Sequence, residues 1–494
     1  MQLIVFKTKD TTSRYRLSLP RQLRQTSINC PATQTTPVDI MKKSTSSEKQ
    51  ATNSTPELDP SFGTRGVAYI FHPLNPSRRL DVQLVIADPN TSTHQLIYAA
   101  CRGYKDFVFE FYLVRLLEDG EIDRSFGENG YATLPVISST PAGPRELIFF
   151  SGSGAITGIS EVRFINWWVP GATRLKSSGL LDSSFLVDGS RYYQPPFLSK
   201  SSNTMANTEK TDINDTPWLD LRALVEANLV TQSNIQPDGK MVFLARYRQY
   251  PDGYALGAYM ARINLNGIPD ETFGRYGYVK IEDPAEPESL IDARIYDSDR
   301  RGGMVVFSNR RGTGILLRYD AEGSLDQSFG NGGIVVIDDS ALGGKALALK
   351  ALDDGAIIIA FEFDGWRDDP PYLYFYPAVI KLLRDGSRDP DFNNGDPLKF
   401  DDLAPDAKLA TYSMTLDAGN RIVLSGRVLD GPMHERGFLT RLMPNGTRDT
   451  DFGVNGLAIR QDMIHLSSAS IQNGTKILST SQVAGYESIV RFIA

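Results

Sequence analysis

One nine-residue signature recurs seven times along the chain, and no other feature limits the fold so tightly. The copies read LDPSFGTRG (58–66), IDRSFGENG (122–130), LDSSFLVDG (181–189), PDETFGRYG (269–277), LDQSFGNGG (325–333), RDPDFNNGD (388–396) and RDTDFGVNG (448–456). Their phenylalanines, Phe62, Phe126, Phe185, Phe273, Phe329, Phe392 and Phe452, are separated by 64, 59, 88, 56, 63 and 60 residues. One interval apart, the period is near sixty. A period of that size belongs to a chain built from one supersecondary unit repeated many times.

The unit extends upstream of the signature. Arg115, Arg174, Arg262, Arg318, Lys381 and Arg441 each stand eleven positions before a signature phenylalanine, and Arg491 lies in the terminal IVRFIA with no signature after it. A glycine turn such as Asp119-Gly120 or Asp385-Gly386 sits between basic residue and signature, and a second, such as Asp238-Gly239 or Asp354-Gly355, sits mid-unit. The segments between turns are short and rich in β-branched and aromatic residues. In the fourth unit they are GYVKI, LIDARIYD, GMVVFSN and GILLRYD, strands a to d. Helical periodicity is nearly absent; DLRALVEAN (220–228) is an ambiguous exception. Seven units of four antiparallel strands predict an all-β, seven-bladed β-propeller over 58–494, because a lone four-stranded sheet cannot bury both faces and radial stacking can. The first signature has no strand d before it and the last strand d no signature after it. The predicted closure therefore brings 489–494 beside 58–71, with the partner of GVAYI (66–70) left open.

The repeated R-L strand followed by D-x-S-F-G-x-x-G resembles the delta-60 repeat of bacterial proteins, over residues 58–494. The resemblance implies a β-propeller-like repeat domain and brings no biochemical activity with it. Two copies depart from the pattern. Leu186 and Asn393 replace the first glycine, and Asp396 replaces the second in copy six. Asn tolerates a left-handed backbone and Leu does so poorly, so the third copy is expected to turn differently.

Asp59, Asp123, Asp182, Asp270, Asp326, Asp389 and Asp449 occur in every copy. A ring of calcium ligands or catalytic acids is one reading. The other is an Asx turn capping backbone N–H groups, with an ion pair to the basic residue eight positions earlier in every copy after the first. The second is preferred, since a residue present in every unit serves what every unit does, and Asp-x-Ser offers too few oxygens for calcium. The phenylalanines are expected to fill the gaps between blades.

Strand polarity puts the b–c turns and signatures on one face and the a–b and c–d loops on the other. The first face is regular and the second irregular, so binding is expected on the second. Its c–d loops carry Trp167, Trp168, Tyr250, Arg310, Trp366, Arg367, Asp368, His434 and Glu435, aromatics beside acids and arginines, as a sugar or peptide site uses. The competing reading packs the tryptophans at the loop bases. The 88-residue interval is explained by a polar a–b insertion, roughly 194–218.

No G-x-S-x-G, H-E-x-x-H or P-loop pattern is present, and SGSGAITG (151–158) precedes no helix and reads as a turn. The four histidines are scattered, so neither cofactor nor metal is expected. Two cysteines make no disulfide framework, a net charge of −7 argues against nucleic acid, and no apolar run approaches the length of a membrane span. The expected function is a non-catalytic scaffold binding a protein, peptide or glycan partner; the alternative is a carbohydrate- or ester-active propeller enzyme using an Asp/Glu pair on the same face. Residues 1–57 are Ser/Thr/Gln/Lys-rich and read as a disordered arm, with Met41 as an alternative start. No secretory signal is read there, so a cytoplasmic or non-classically exported protein is expected.

Overall fold

The computed structural model describes residues 56–493, apart from 91–93, 106–107, 135–145, 150–153, 165–166, 186–189, 194–231, 250–254, 285–292, 294, 300, 311–312, 338–344, 369–370, 401–407 and 430–434. The expected N-terminal arm up to residue 55, the 194–218 insertion, the ambiguous 220–228 segment and the Leu186 turn lie outside the described residues.

Among the described residues the chain is almost entirely β. After β1 (Val67–Ala68) come a small hairpin, β2 (Phe71–His72) and β3 (Asn75–Arg79), and a four-stranded sheet of β4 (Asp81–Ala87), β5 (Ile97–Lys105), β6 (Val108–Leu116) and β7 (Tyr131–Leu134). Next are β8 (Glu146–Phe149), β9 (Ile156–Phe164), β10 (Trp167–Leu175), β11 (Ser190–Tyr192), β12 (Gln232–Ile235), β13 (Met241–Gln249), β14 (Ala255–Ile263) and β15 (Tyr278–Ile281), which share one sheet. Three four-stranded sheets follow. They are β16 (Ile295–Ser298) to β19 (Ile334–Ile337) through β17 (Met304–Arg310) and β18 (Thr313–Tyr319); β20 (Lys345–Ala351), β21 (Ile357–Asp368), β22 (Pro371–Leu382) and β23 (Leu398–Lys399); and β24 (Lys408–Leu416), β25 (Ile422–Leu429), β26 (Glu435–Leu442) and β27 (Leu457–Arg460). The last sheet is β28 (Ala469–Gln472), β29 (Lys476–Val483) and β30 (Tyr486–Phe492), completed by β1. Neighbouring strands within every sheet are antiparallel. The inner strands β8, β12, β16, β20, β24, β28 and β4 lie side by side in that order, which is the arrangement of a β-propeller.

Seven separate blades were expected, and the described residues form six propeller sheets. The difference lies in the eight-stranded one. β11 covers only Gly171–Thr173 of β10, and β12 covers only Met241–Leu244 of β13. The upper edges of β10 and β13 are thus left without their usual neighbours, and they pair with each other at Trp167–Gln249 and Trp168–Arg248. Two four-stranded runs are fused by that short ladder.

The unit boundary also moves by one strand. GYVKI (β15) pairs with β14 of the preceding unit, so each signature joins strand d to the outermost strand of the same sheet. The chain then crosses from that outer edge to the inner edge of the next sheet. At the closure the same rule pairs β1 with β30, Val67 opposite Val490, while Leu58 bridges Phe492. GVAYI therefore completes the last sheet.

The signatures hold neighbouring units together. All seven signature phenylalanines are buried. Phe329 joins Val305, Phe307 and Leu316 to Ile357, Ile359 and Ile380 of the following sheet, and Phe126 joins Leu113 to Ile156 and Leu175. Full burial of a Phe side chain stabilises by about 1.5–3 kcal/mol. Over six of the rings, all but that of Phe452, lies the glycine turn of the next unit. Gly120 is left-handed at φ +87, and a Cβ there would stand 2.7 Å from the Phe62 ring, so glycine is needed both for the turn and for the close approach. In the sixth copy Asn393 and Asn394 take the left-handed positions at φ 49 and 57.

Candidate functional site

Each signature aspartate divides its work between two oxygens. Oδ1 accepts the backbone N–H two residues on in all seven copies, as from Ser61 at 3.0 Å, Ser125 at 3.0 Å and Asp451 at 3.1 Å. Oδ2 faces the basic residue: Arg115–Asp123 at 2.8 Å, Arg174–Asp182 at 3.3 Å, Arg262–Asp270 at 2.7 Å, Arg318–Asp326 at 3.4 Å, Lys381–Asp389 at 2.8 Å and Arg441–Asp449 at 2.7 Å. The seventh pair, Arg491–Asp59 at 2.9 Å, spans the closure. Burial by itself would raise the Asp59 carboxyl. The Ser61 and Lys476 hydrogen bonds and the Arg491 charge outweigh it and hold the group at about 2. Asp270 is likewise held at about 2, with burial opposed by Lys240, Thr272 and Arg262. Carboxylates held this way are scaffold parts and not acids or bases at neutral pH. No group of three or more His, Cys, Asp or Glu side chains suited to a metal occurs among the described residues.

The same face has a groove of about 470 Å³ lined by Ser328, Asp354, Ala356, Leu383, Arg384 and Asp385. Its polar groups are partly committed. The Arg384 carbonyl accepts from Arg318 at 2.8 Å, the Asp385 carbonyl accepts from the Gly330 N–H at 2.8 Å, and Asp354 Oδ1 accepts from the Ala356 N–H at 2.9 Å.

The opposite face carries the c–d hairpins. Trp167 and Trp168 open β10, Arg310 ends β17, Trp366, Arg367 and Asp368 end β21, and Glu435 opens β26. All seven stand at hairpin tips, so strand polarity places them on one side. Tyr250 and His434 lie outside the described residues, as do the side chains of Trp167, Trp168, Arg310, Trp366, Arg367 and Asp368. The Glu435 side chain accepts from Arg427 Nη1 at 2.8 Å across its own hairpin. The β21–β22 ladder runs twelve pairs, from Ile357–Leu382 to Asp368–Pro371, against eight for β25–β26. Four extra pairs at about 3.3 Å each raise its tip by about 13 Å.

Sequence reasoning passed over a cluster on this face beside the closure. Arg79 lies with its guanidinium 3.9 Å from the Tyr69 ring and 4.3 Å from the Tyr486 ring. Around it Phe71, Leu74, Tyr104 and Tyr486 are exposed, at 39%, 71%, 48% and 50%. Below, His72 is buried. Its Nδ1 accepts from the Leu74 N–H at 3.1 Å, and its Nε2 stands 2.9 Å from Glu110 Oε2. The Tyr112 hydroxyl donates to the same oxygen at 3.0 Å, and burial, with Glu110 beside it, pushes that phenol up to about 12. Both imidazole nitrogens are engaged, so this group fixes Glu110 and offers no free base. The signal available was the run VAYIFHPLNPSRRL, where Tyr69 and Phe71 are followed by Arg78 and Arg79 outside any signature.

No family model matches the sequence, and no curated protein matches it. Among solved structures, the chain is similar to the Dos1 propeller, at 8% identity and TM-score 0.43, covering 86% of this chain and 81% of that one. It is similar to the β-propeller domain of the Trilobed protease from Pyrococcus furiosus, described as having an open velcro topology, at 8% identity and TM-score 0.41, covering 83% and 94%. It is also similar to prolyl oligopeptidase B from Galerina marginata, at 11% identity and TM-score 0.42, where 84% of this chain matches 49% of that one. The propeller assignment rests on the strand pairing above and not on these likenesses.

Proposed function

We propose that the protein is a non-catalytic binding scaffold: a wheel of seven units, the eight-stranded sheet counting as two, that takes a protein, peptide or glycan partner on its irregular face. The delta-60 resemblance agrees with that architecture and adds no activity. One observation carries the reading. On the signature face the repeated aspartates and basic residues are spent on one another, whereas on the irregular face exposed aromatics gather around Arg79. Aromatic planes and a guanidinium are what interface anchors are made of. The raised Trp366 hairpin belongs to the same face.

The test is capture from a glycan array and from protein extract by the wild type, Trp366→Ala and Tyr486→Ala. Loss of an anchor reduces affinity by roughly tenfold or more. Equal capture by all three proteins would remove the proposed face.

A further inference from the structure

Arginines stacked on aromatic rings in this chain commonly hold a carboxylate as well. Arg115, 4.7 Å from the Phe126 ring, pairs with Asp123 at 2.8 Å. Away from the basic residues of the repeat, Arg102 lies 5.3 Å from the Phe109 ring and pairs with Asp81 at 3.0 Å. Arg427 lies 5.7 Å from Tyr412 and pairs with Glu435 at 2.8 Å, and Arg460 lies 5.7 Å from Phe492 and pairs with Asp462 at 2.8 Å. Arg79 is stacked more closely than any of these, 3.9 Å from Tyr69 and 4.3 Å from Tyr486, and holds no carboxylate. Two rings cannot share one side of a guanidinium at such distances, so both of its flat faces are covered. A cation kept there without an acid bears a desolvation cost that stacking only partly offsets.

No hydrogen bond or ion pair of Arg79 occurs among the described residues. Its Nη1 is buried without an acceptor, while Nε and Nη2 are open. The acids of the flanking strands are engaged elsewhere. Glu110 is held by His72 and Tyr112, and Glu487, next to Tyr486, stands 3.3 Å from His465. Arg78 adds a second cation. It is exposed, its Nη1 donates to the Tyr104 carbonyl at 3.0 Å, and it pairs with no carboxylate among the described residues. On a chain of net charge −7, two uncompensated cations thus stand beside the exposed Phe71 and Leu74.

We infer that the partner taken at this patch is an acidic peptide, with a carboxylate on the open edge of Arg79 and a large apolar side chain beside it on Phe71 and Leu74. This rests on the binding face proposed above and names what that face reads. The carboxylate supplies the acid that the other stacked arginines find within the chain, and a charge-assisted bond to a guanidinium already fixed between two rings is strong and directional. A sugar would need polar groups for its hydroxyls, and Phe71 and Leu74 offer none. The carboxylate is that of an Asp or Glu side chain or of a peptide's C-terminus, and the experiment separates the two.

The test exposes the full chain to two arrays of short random peptides, one with both ends blocked and one with free C-termini. The expected selection is peptides carrying a carboxylate next to Phe, Leu, Tyr or Trp. Binders from the blocked array assign the acid to a side chain, and binders from the free array alone assign it to a terminus. The best binder is then remade with that acid replaced by its amide. Wild-type protein should prefer the acid by about tenfold or more, a ratio that depends on no variant folding. Arg79→Gln, with an unfolding midpoint matching the wild type, should bring the ratio to about one, whereas Tyr486→Ala should weaken both peptides. Selection without an acid, no selection at all, a wild-type ratio near one, or a ratio kept in Arg79→Gln overturns the inference. If capture of some other ligand is still lost in Tyr486→Ala, only this inference falls; if capture is indifferent to Tyr486→Ala, the face falls with it.

Discussion

Replacing Arg491 with methionine tests the closure most directly. The side chain is 1% exposed, pairs with Asp59 at 2.9 Å, donates to Gln472 Oε1 at 2.8 Å and to the Glu118 carbonyl, and lies 4.5 Å over the Phe62 ring. Methionine preserves length and apolar contact but removes every one of those donors. Breaking a buried pair by deleting one partner costs about 3–5 kcal/mol. Here Lys476 still faces Asp59 at 3.1 Å, which places the expected loss near the lower end, about 3 kcal/mol. Arg491→Lys keeps an ion pair, as Lys381 does, and should lose roughly half of that, about 1.5 kcal/mol, mainly the hydrogen bonds to Gln472 and Glu118. The assay is urea unfolding followed by tryptophan fluorescence, with the midpoint shift converted through the slope. A cycle with Asp59→Asn should show a coupling of about 1–3 kcal/mol, since the two groups touch. Additivity in that cycle, or a loss below about 1 kcal/mol for Arg491→Met, would show that the closure does not depend on this clasp.

Two further outcomes follow from the repeated contacts. Phe329→Ala should cost about 3–5 kcal/mol, the range for a buried aromatic, and an unchanged thermal melt would contradict the packing described. Asp59 and Asp270 have folded values near 2, below the unfolded value near 3.8, so their contribution is complete above about pH 4 and is lost as pH falls toward 2. Unfolding midpoints measured across that window should fall with acid, and less so in Asp270→Asn; a wild type indifferent to pH there would contradict the assignment.

What the sequence made legible were features enforced in every unit. Asp, Phe, Gly and the basic residue recur at fixed spacing because one junction chemistry is used over and over; the Arg491–Asp59 pair lies outside that count and followed only from bringing the two ends of the repeat together. Register between sheets was not legible. A repeat has no intrinsic first strand, so the outermost strand of each sheet was assigned one unit late. The fusion at Trp167–Trp168 depends on how short β11 and β12 are, which composition does not report. Contacts made once were hidden as well. Asp297 links Asn234, at 2.9 Å, to the amide of Ala351, at 2.9 Å, across three inner strands, and nothing in a single unit announces it. On the irregular face the hairpin tips could be placed from strand polarity, while the Arg79 stack needed Tyr69 and Tyr486, over four hundred residues apart, to be brought together.

The pairing of Glu57 with Ile493, whose amide donates to the Glu57 carbonyl at 3.0 Å, has a practical corollary. Anything fused ahead of residue 57 and anything fused behind residue 493 would leave from one spot on the rim. Two cargoes attached there by short flexible linkers would meet at millimolar effective concentration, whatever their intrinsic affinity.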